Sequence, residues 1–356
     1  MQEEKKHIKG QGAQYNPHNR FENSKYVREH WEGIDEVDEG PTRTQILEVS
    51  PKSIITKNNS PDVPFEFSIN PYQGCEHGCV YCYARNSHEY WGYSAGKDFE
   101  RKILVKKTAA LLLEKQFRRK NYSAQLIVLS GNTDCYQPIE KKLEITRELL
   151  KVFQAYNHPV GLITKNSLIL RDLDILKKMA LKNQVRVTIS LTTLKEETRR
   201  LLEPRTASVA LRLKTIRTLT EAGIPVNVNL APIIPAINSD EIFEIVRAAA
   251  EHGAISANYI LVRLNGAIGE IFSDWVRKTY PDRADKILNL IQETHGGKLN
   301  ESNWNTRMRG EGIYADQVKR IFDIARNKFF PKTDSPKMDY SKFSVPDRGE
   351  QMDLFL

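Results

Sequence analysis

From residue 65 onward the chain alternates short apolar runs with longer amphipathic stretches. The runs at 65–70, 125–130, 160–164, 185–190, 226–230 and 257–262 are rich in Val, Ile, Leu and Phe and have the length of strands. Between them, 140–156, 171–182, 208–222 and 239–252 carry apolar residues at helical spacing, the last opening on the cap signals Asn238-Ser239-Asp240-Glu241. Strand and helix in alternation, at intervals of about 25–40 residues, is the pattern of parallel βα units with right-handed crossovers. Six such strands predict an α/β protein built on a (β/α)6 partial TIM-type barrel over 61–265. Before it, 1–60 is polar and broken by Gly10-Gln11-Gly12, Asn16-Pro17 and Gly40-Pro41, which predicts an N-terminal polar arm with short elements at most. After it, 266–330 predicts a helical C-terminal extension that caps the barrel through Trp275, Ile287, Leu288 and Ile291, and 331–356 a flexible tail.

Parallel βα folds carry function on the loops at the C-terminal ends of their strands, and polar residues stand there in this chain. The second strand runs into Ser130-Gly131-Asn132-Thr133-Asp134-Cys135, the third into Thr164-Lys165-Asn166, the fourth into Ser190-Leu191-Thr192-Thr193, the fifth into Ala231-Pro232 and the sixth into Arg263. The first leads to the densest signal, Cys75-Glu76-His77-Gly78-Cys79-Val80-Tyr81-Cys82, which holds three of the four cysteines. Thiolate is a soft ligand, and three thiolates on one loop can cap three corners of an iron–sulfur cubane while leaving the fourth iron open. Gly74 and Gly78 give the loop the positive φ and close approach that wrapping a bulky group requires. A structural zinc site with His77 or His88 as fourth ligand is the simpler alternative, although no second ligand pair accompanies it. Three clustered thiols and a distant Cys135 do not make an even disulfide framework.

Composition narrows the setting. The chain has 356 residues, 40% of them hydrophobic, enough for one large core. It contains no apolar run of about 18 residues and begins without an apolar leader, so a soluble cytoplasmic protein that does not enter a membrane is expected. The net charge of +8 is uneven, because residues 101–120 set eight Lys and Arg against Glu114 alone in what reads as one helix. Such a patch would draw a phosphate backbone, although no aromatic residues interleave to stack bases, and it is equally the pattern of a solvated helix face.

The spacing Cys-x3-Cys-x-Tyr-Cys resembles the signature of the radical S-adenosylmethionine (radical SAM) superfamily, with Tyr81 at its aromatic place. The resemblance implies that Cys75, Cys79 and Cys82 hold a [4Fe–4S] cluster and that S-adenosylmethionine occupies the open iron. It implies further that an electron from a reductant such as flavodoxin or ferredoxin cleaves the cosubstrate to a 5′-deoxyadenosyl radical, which abstracts hydrogen from a substrate. Over roughly 65–265 the chain is similar to the spore photoproduct lyase-like, DNA repair photolyase-related group, through Asn70-Pro71-Tyr72-Gln73-Gly74-Cys75 to Cys82, Thr133-Asp134, Lys165 and Ser190. That similarity implies contacts from Thr133, Asp134, Lys165 and Ser190 to S-adenosylmethionine. Gly131 stands in the slot of the lyases' hydrogen-donating cysteine, so dimer repair does not carry over; Cys135, just after Asp134, is either the candidate catalytic thiol, its sulfur turned into the cavity, or a small thiol with no role. The substrate stays open, nucleic acid included. The competing expectation is a zinc-containing nucleic-acid-binding protein that uses Lys102, Lys106, Arg118 and Arg119.

Overall fold

The computed structural model describes residues 7–22, 43–330 and 336–347; Gly40-Pro41 and the rest of the expected arm and tail lie outside them. Its strands are β1 (Gln45–Glu48), β2 (Ile55–Lys57), β3 (Phe67–Ile69), β4 (Tyr72–Gln73), β5 (Lys102–Val105), β6 (Ile127–Leu129), β7 (Val160–Thr164), β8 (Val185–Ser190), β9 (Val226–Ile233) and β10 (Ser256–Leu261). The six expected runs are β3 and β6 to β10, and they lie side by side in chain order as parallel neighbours. Ile69 pairs with Leu129, Leu129 with Leu162, and Val187 with Val226, so apolar positions fall in register across the sheet. β2 adds antiparallel to β3, making a mixed α/β sheet whose edges are β2 and β10; the sheet is open, not a closed barrel.

The helices Ile145–Ala155, Leu173–Ala180, Val209–Glu221 and Ile242–Glu251 occupy the stretches where helical spacing was found. Their apolar stripes, among them Leu149, Phe153, Leu176, Met179, Ile216, Leu219 and Ile245, are buried with the strand residues in one continuous core. Each such side chain contributes about 1.5–3 kcal/mol by leaving water.

Three expectations are corrected. The basic stretch 101–120 is not one helix: β5 takes its start, the helix is Ala109–Phe117, and β5 joins β1 and β4 in a second, three-stranded sheet. Trp275, Ile287, Leu288 and Ile291, on the helices Ala267–Thr279 and Ala284–Glu293, do pack inward, but against the cysteine loop: their cluster contains Cys79, Val80 and Tyr81. The described part of the tail is docked, with Phe343 stacked edge-on against Phe117 at 5.8 Å and Ser344 N donating to Tyr156 O at 3.1 Å.

Two segments hold the open side of the sheet. The loop between β2 and β3 reaches past the end of β3 to the far edge, where Asp62 accepts from Arg307 and from Asn305 N. The neighbouring Met308 O accepts from Leu261 N at 3.0 Å, and Arg309 lies over the Tyr259 ring at 4.3 Å, which fixes this segment on β10. Residues 7–22 run behind the cysteine loop, where Gly12 N and Ala13 N donate to Glu100 at 3.3 and 2.8 Å.

Candidate functional site

The cysteine loop follows β4, and its shape is set by backbone conformation and by buried charge. Gly74 and Gly78 have φ of +82° and +68°, the left-handed region that other residues avoid. A Cβ at Gly78 would stand 2.6 Å from the Arg205 guanidinium and 2.7 Å from Glu100. Both groups are needed where they are. Glu100 accepts from Arg85 and Arg205 at 2.6 Å each, and Arg85 also donates to Cys79 O at 3.0 Å, while Arg205 donates to Glu76 O. The buried Arg85–Glu100 pair and the partly exposed Arg205 thus hold the loop backbone from behind.

The three thiols face one another closely enough that the ionisation of Cys75 senses Cys79 and Cys82, and that of Cys79 senses Cys82. Burial is the main cause that pushes all three up, so as free thiols they stay protonated. Backbone N–H groups lie near sulfur, that of His77 by Cys75 and that of Ala84 by Cys82, while Arg85 N donates to Cys82 O at 3.2 Å. Hydrogen bonds to sulfur are one of the levers by which proteins tune iron–sulfur centres. Among the described residues no three His, Cys, Asp or Glu converge as around a single ion. Three soft donors on one loop, with N–H groups near their sulfurs, fit a cubane that takes one thiolate at each of three corners.

Asp134 is the pivot between the loop and the strand ends. Its carboxylate accepts from Tyr136 N, Thr164 Oγ1 and Lys165 N, each at 2.8 Å, and meets His77 Nδ1 at 3.4 Å. Burial alone would raise this carboxyl, but the His77 imidazole and the backbone donors outweigh it and hold it below the usual carboxylate range. His77 Nε2 is taken by Asn166 at 3.1 Å, and His88 is enclosed by Tyr93 and Phe99, so neither imidazole joins the thiols as a fourth ligand. Thr133 is buried and donates to Tyr72 O at 2.6 Å. Lys165 lies within electrostatic reach of Cys79 and Cys82, 5.8 Å from the Tyr81 ring centroid, and donates to Ala231 O at 3.1 Å. Ser190 sits at the end of β8, its carbonyl accepting from Arg212 at 3.1 Å, and its hydroxyl has no partner among the described residues. Cys135 is elsewhere: it is wholly buried in the main core, its N–H on Ser130 Oγ and its carbonyl on Thr146.

Glu203 was not anticipated from the sequence. It is fully buried, accepts from Tyr81 and from Thr192 Oγ1, and pairs with Arg212 and, at 3.3 Å, with Lys165. Burial opposes its ionisation, yet Arg212 and Lys165 hold it strongly ionised. It lies past the end of the helix Glu196–Leu202, in a charged stretch that carries no strand-end signal, so only the folded chain brings it to Tyr81.

Half of the basic patch is engaged within the chain. Lys102 pairs with Asp98, Lys107 with Glu48 and Arg118 with Glu114, and Lys106 donates to Asn70 O, which leaves the half-buried Arg101 and the exposed Lys115, Arg119 and Lys120. Arg119 borders a cleft of about 340 Å³ beside β2 and β3 that contains none of the expected site residues.

A family model described as the Radical SAM superfamily matches residues 69–249, about half of the chain. An uncharacterised protein of Mycobacterium tuberculosis is 29% identical over 248 residues, covering 69% of this chain and 73% of its own. One of Methanocaldococcus jannaschii is 26% identical over 248 residues, covering 70% and 88%. Among solved structures, spore photoproduct lyase complexed with dinucleoside spore photoproduct matches with a TM-score of 0.59 at 17% identity, over 80% of each chain, a likeness of fold. No helix among the described residues is long and apolar enough to cross a membrane.

Proposed function

Since this chain belongs to the radical SAM superfamily, whose enzymes use a [4Fe–4S] cluster and S-adenosylmethionine, we propose that Cys75, Cys79 and Cys82 hold that cluster in it. When bound, the cluster and its coligand supply a 5′-deoxyadenosyl radical for hydrogen abstraction from a substrate. The chain's own part is to position and to keep the site dry. Lys165 supplies the cation for the carboxylate of S-adenosylmethionine, since its ammonium, held by Glu203 and Ala231 O, is within electrostatic reach of Cys79 and Cys82. Ser190 offers the same ligand an unpartnered hydroxyl. Asp134 and Thr133 act one step back: Asp134 fixes His77 and the Lys165 backbone, and Thr133 fixes the Tyr72 carbonyl before the cysteine loop. Cys135, enclosed in the core, is given a packing role rather than hydrogen donation. The six parallel strands in chain order support a (β/α)6 partial barrel, and a flavodoxin or ferredoxin is the class of reductant that such a cluster needs.

The observation that carries this reading is the set of three thiols on one loop, Cys75 and Cys79 buried and Cys82 partly so, close enough to sense one another's charge and with backbone N–H groups near the sulfurs of Cys75 and Cys82. Anaerobic reconstitution is expected to give about four iron and four sulfide per chain, and dithionite with S-adenosylmethionine to release 5′-deoxyadenosine. Cys79→Ala loses the iron and the nucleoside together. Full iron content in that variant, or one zinc and a colourless protein in the parent, overturns the assignment and returns the zinc alternative.

A further inference from the structure

Buried polar atoms without partners are rare in folded proteins, and here two belong to one short loop and three to residues beside it. Arg263 Nε, Asn265 Oδ1, Asn86 Oδ1, His295 Nδ1 and Asn300 Oδ1 are buried and unpartnered among the described residues. The loop is 262–266, at the C-terminal end of β10. Asn86 Nδ2 donates to Asn265 O at 2.8 Å, His295 Nε2 meets Val262 O at 2.7 Å, and Leu264 N donates to Leu299 O at 3.2 Å. The groups with unmet capacity therefore come from separate elements that close on the same few residues.

Arg263 is the charged member. It has no ion pair among the described residues, although an acid is near: Asp62 is taken by Arg307 and by Asn305 N at 2.7 Å. Burial, and then the like charge of Arg307, work against its ionisation. A guanidinium does not shed its proton, so it remains a half-buried cation in want of an anion. The Tyr83 ring, which follows Cys82, is within electrostatic reach of it, so this cation stands at the margin of the cysteine loop.

We propose that the 262–266 loop is a subsite for an oxyanion of the substrate, a carboxylate or a phosphate, and that Arg263 binds it through its planar fork. The inference rests on the radical-enzyme reading for the nature of the reaction beside it, while the binding itself stands on the loop. A planar fork suits either oxyanion in two parallel hydrogen bonds, while the amide oxygens and the His295 Nδ1 around it are acceptors and suit hydroxyl or amino groups carried by the same substrate.

The test uses the full-length reconstituted protein with two probes, inorganic phosphate and acetate. The broadening of the ³¹P line of phosphate and of the ¹³C carboxylate line of acetate reports binding to a slowly tumbling chain even when it is weak. At least one probe is expected to bind, with affinity about tenfold lower in Arg263→Gln, intermediate in Arg263→Lys, and unaltered in Arg119→Gln. Which probe responds tells phosphate from carboxylate. No broadening by either, or broadening that survives Arg263→Gln, overturns the proposal, as does a matching loss of S-adenosylmethionine binding, which would make Arg263 a cosubstrate residue. Absence of 5′-deoxyadenosine formation in the parent, with Arg263-dependent anion binding intact, would remove the radical reading and leave the subsite standing.

Discussion

Glu203 neutralises two cations at once, and the stability of the site depends on that charge. Arg212 is almost as buried as its partner, and Lys165 is only slightly exposed. Replacing the carboxylate by an amide of the same shape leaves both cations uncompensated, which is costly because the desolvation already incurred is no longer offset. Glu203→Gln is therefore expected to lose about 3 kcal/mol in urea unfolding, against a change within about 0.5 kcal/mol for the exposed Glu221→Gln. Equal midpoints for the two variants would contradict the paired-cation account. The cysteine cluster was legible in the sequence because its three thiols are neighbours in the chain, and the strand ends singled out Asp134, Lys165 and Ser190 as candidates. Glu203, Arg205 and Arg212 were not, because their partners lie on the cysteine loop and on β8, and no local pattern marks a residue whose role is to meet a distant one.

At the scale of elements, the contact between the helix Ala109–Phe117, the start of β7 and the tail is set by an uncharged imidazole. His158 is fully buried, stacked on Phe117 at 4.4 Å between centroids, with Phe153, Tyr122 and Phe343 around it. Nδ1 donates to Pro159 O at 2.8 Å, so Nε2 is the acceptor of the Tyr122 hydroxyl at 2.7 Å. Burial lowers its pKa to about 4 from 6.5, the carbonyl of Pro159 opposing only in part. The unfolded chain thus binds a proton that the folded chain refuses between these two values, and stability falls as pH drops through that window. The expected loss is up to about 3 kcal/mol from pH 6.5 to 4, and His158→Phe should remove that share of the slope in urea titrations across the window. An unaltered slope would show the ring to be protonated in the folded protein. Periodicity foresaw the strands and the long helices here, since each buries a stripe of its own. It did not foresee β1, β4 and β5, whose pairing depends on partners far along the chain, nor the docking of Phe343 from a tail without pattern.

On the scale of the whole molecule, an open sheet presents two edges and a flank through which water could reach the cysteine loop. The β2–β3 loop and the segment at 303–308 bridge that flank, and the bridge is concentrated in a few polar groups. Arg307 donates to Asp62 and to Ser60 Oγ, and its guanidinium lies over the Trp304 ring at 4.2 Å. Little apolar surface supports the crossing, for Asn305 and Trp304 are largely exposed, so the seam should open locally long before the core unfolds. Asp62→Asn removes the charge from the pair and keeps the amide oxygen for Asn305 N. Amide hydrogen exchange is expected to quicken in 58–66 and 303–309 while β7, β8 and β9 hold their protection, with little change in global unfolding. Because Arg263 lies within reach of the same carboxylate, the variant should also alter the binding of anions at the 262–266 loop. Exchange that quickens equally in β8 would mean that the two edges are held by the core itself and that the bridge closes nothing.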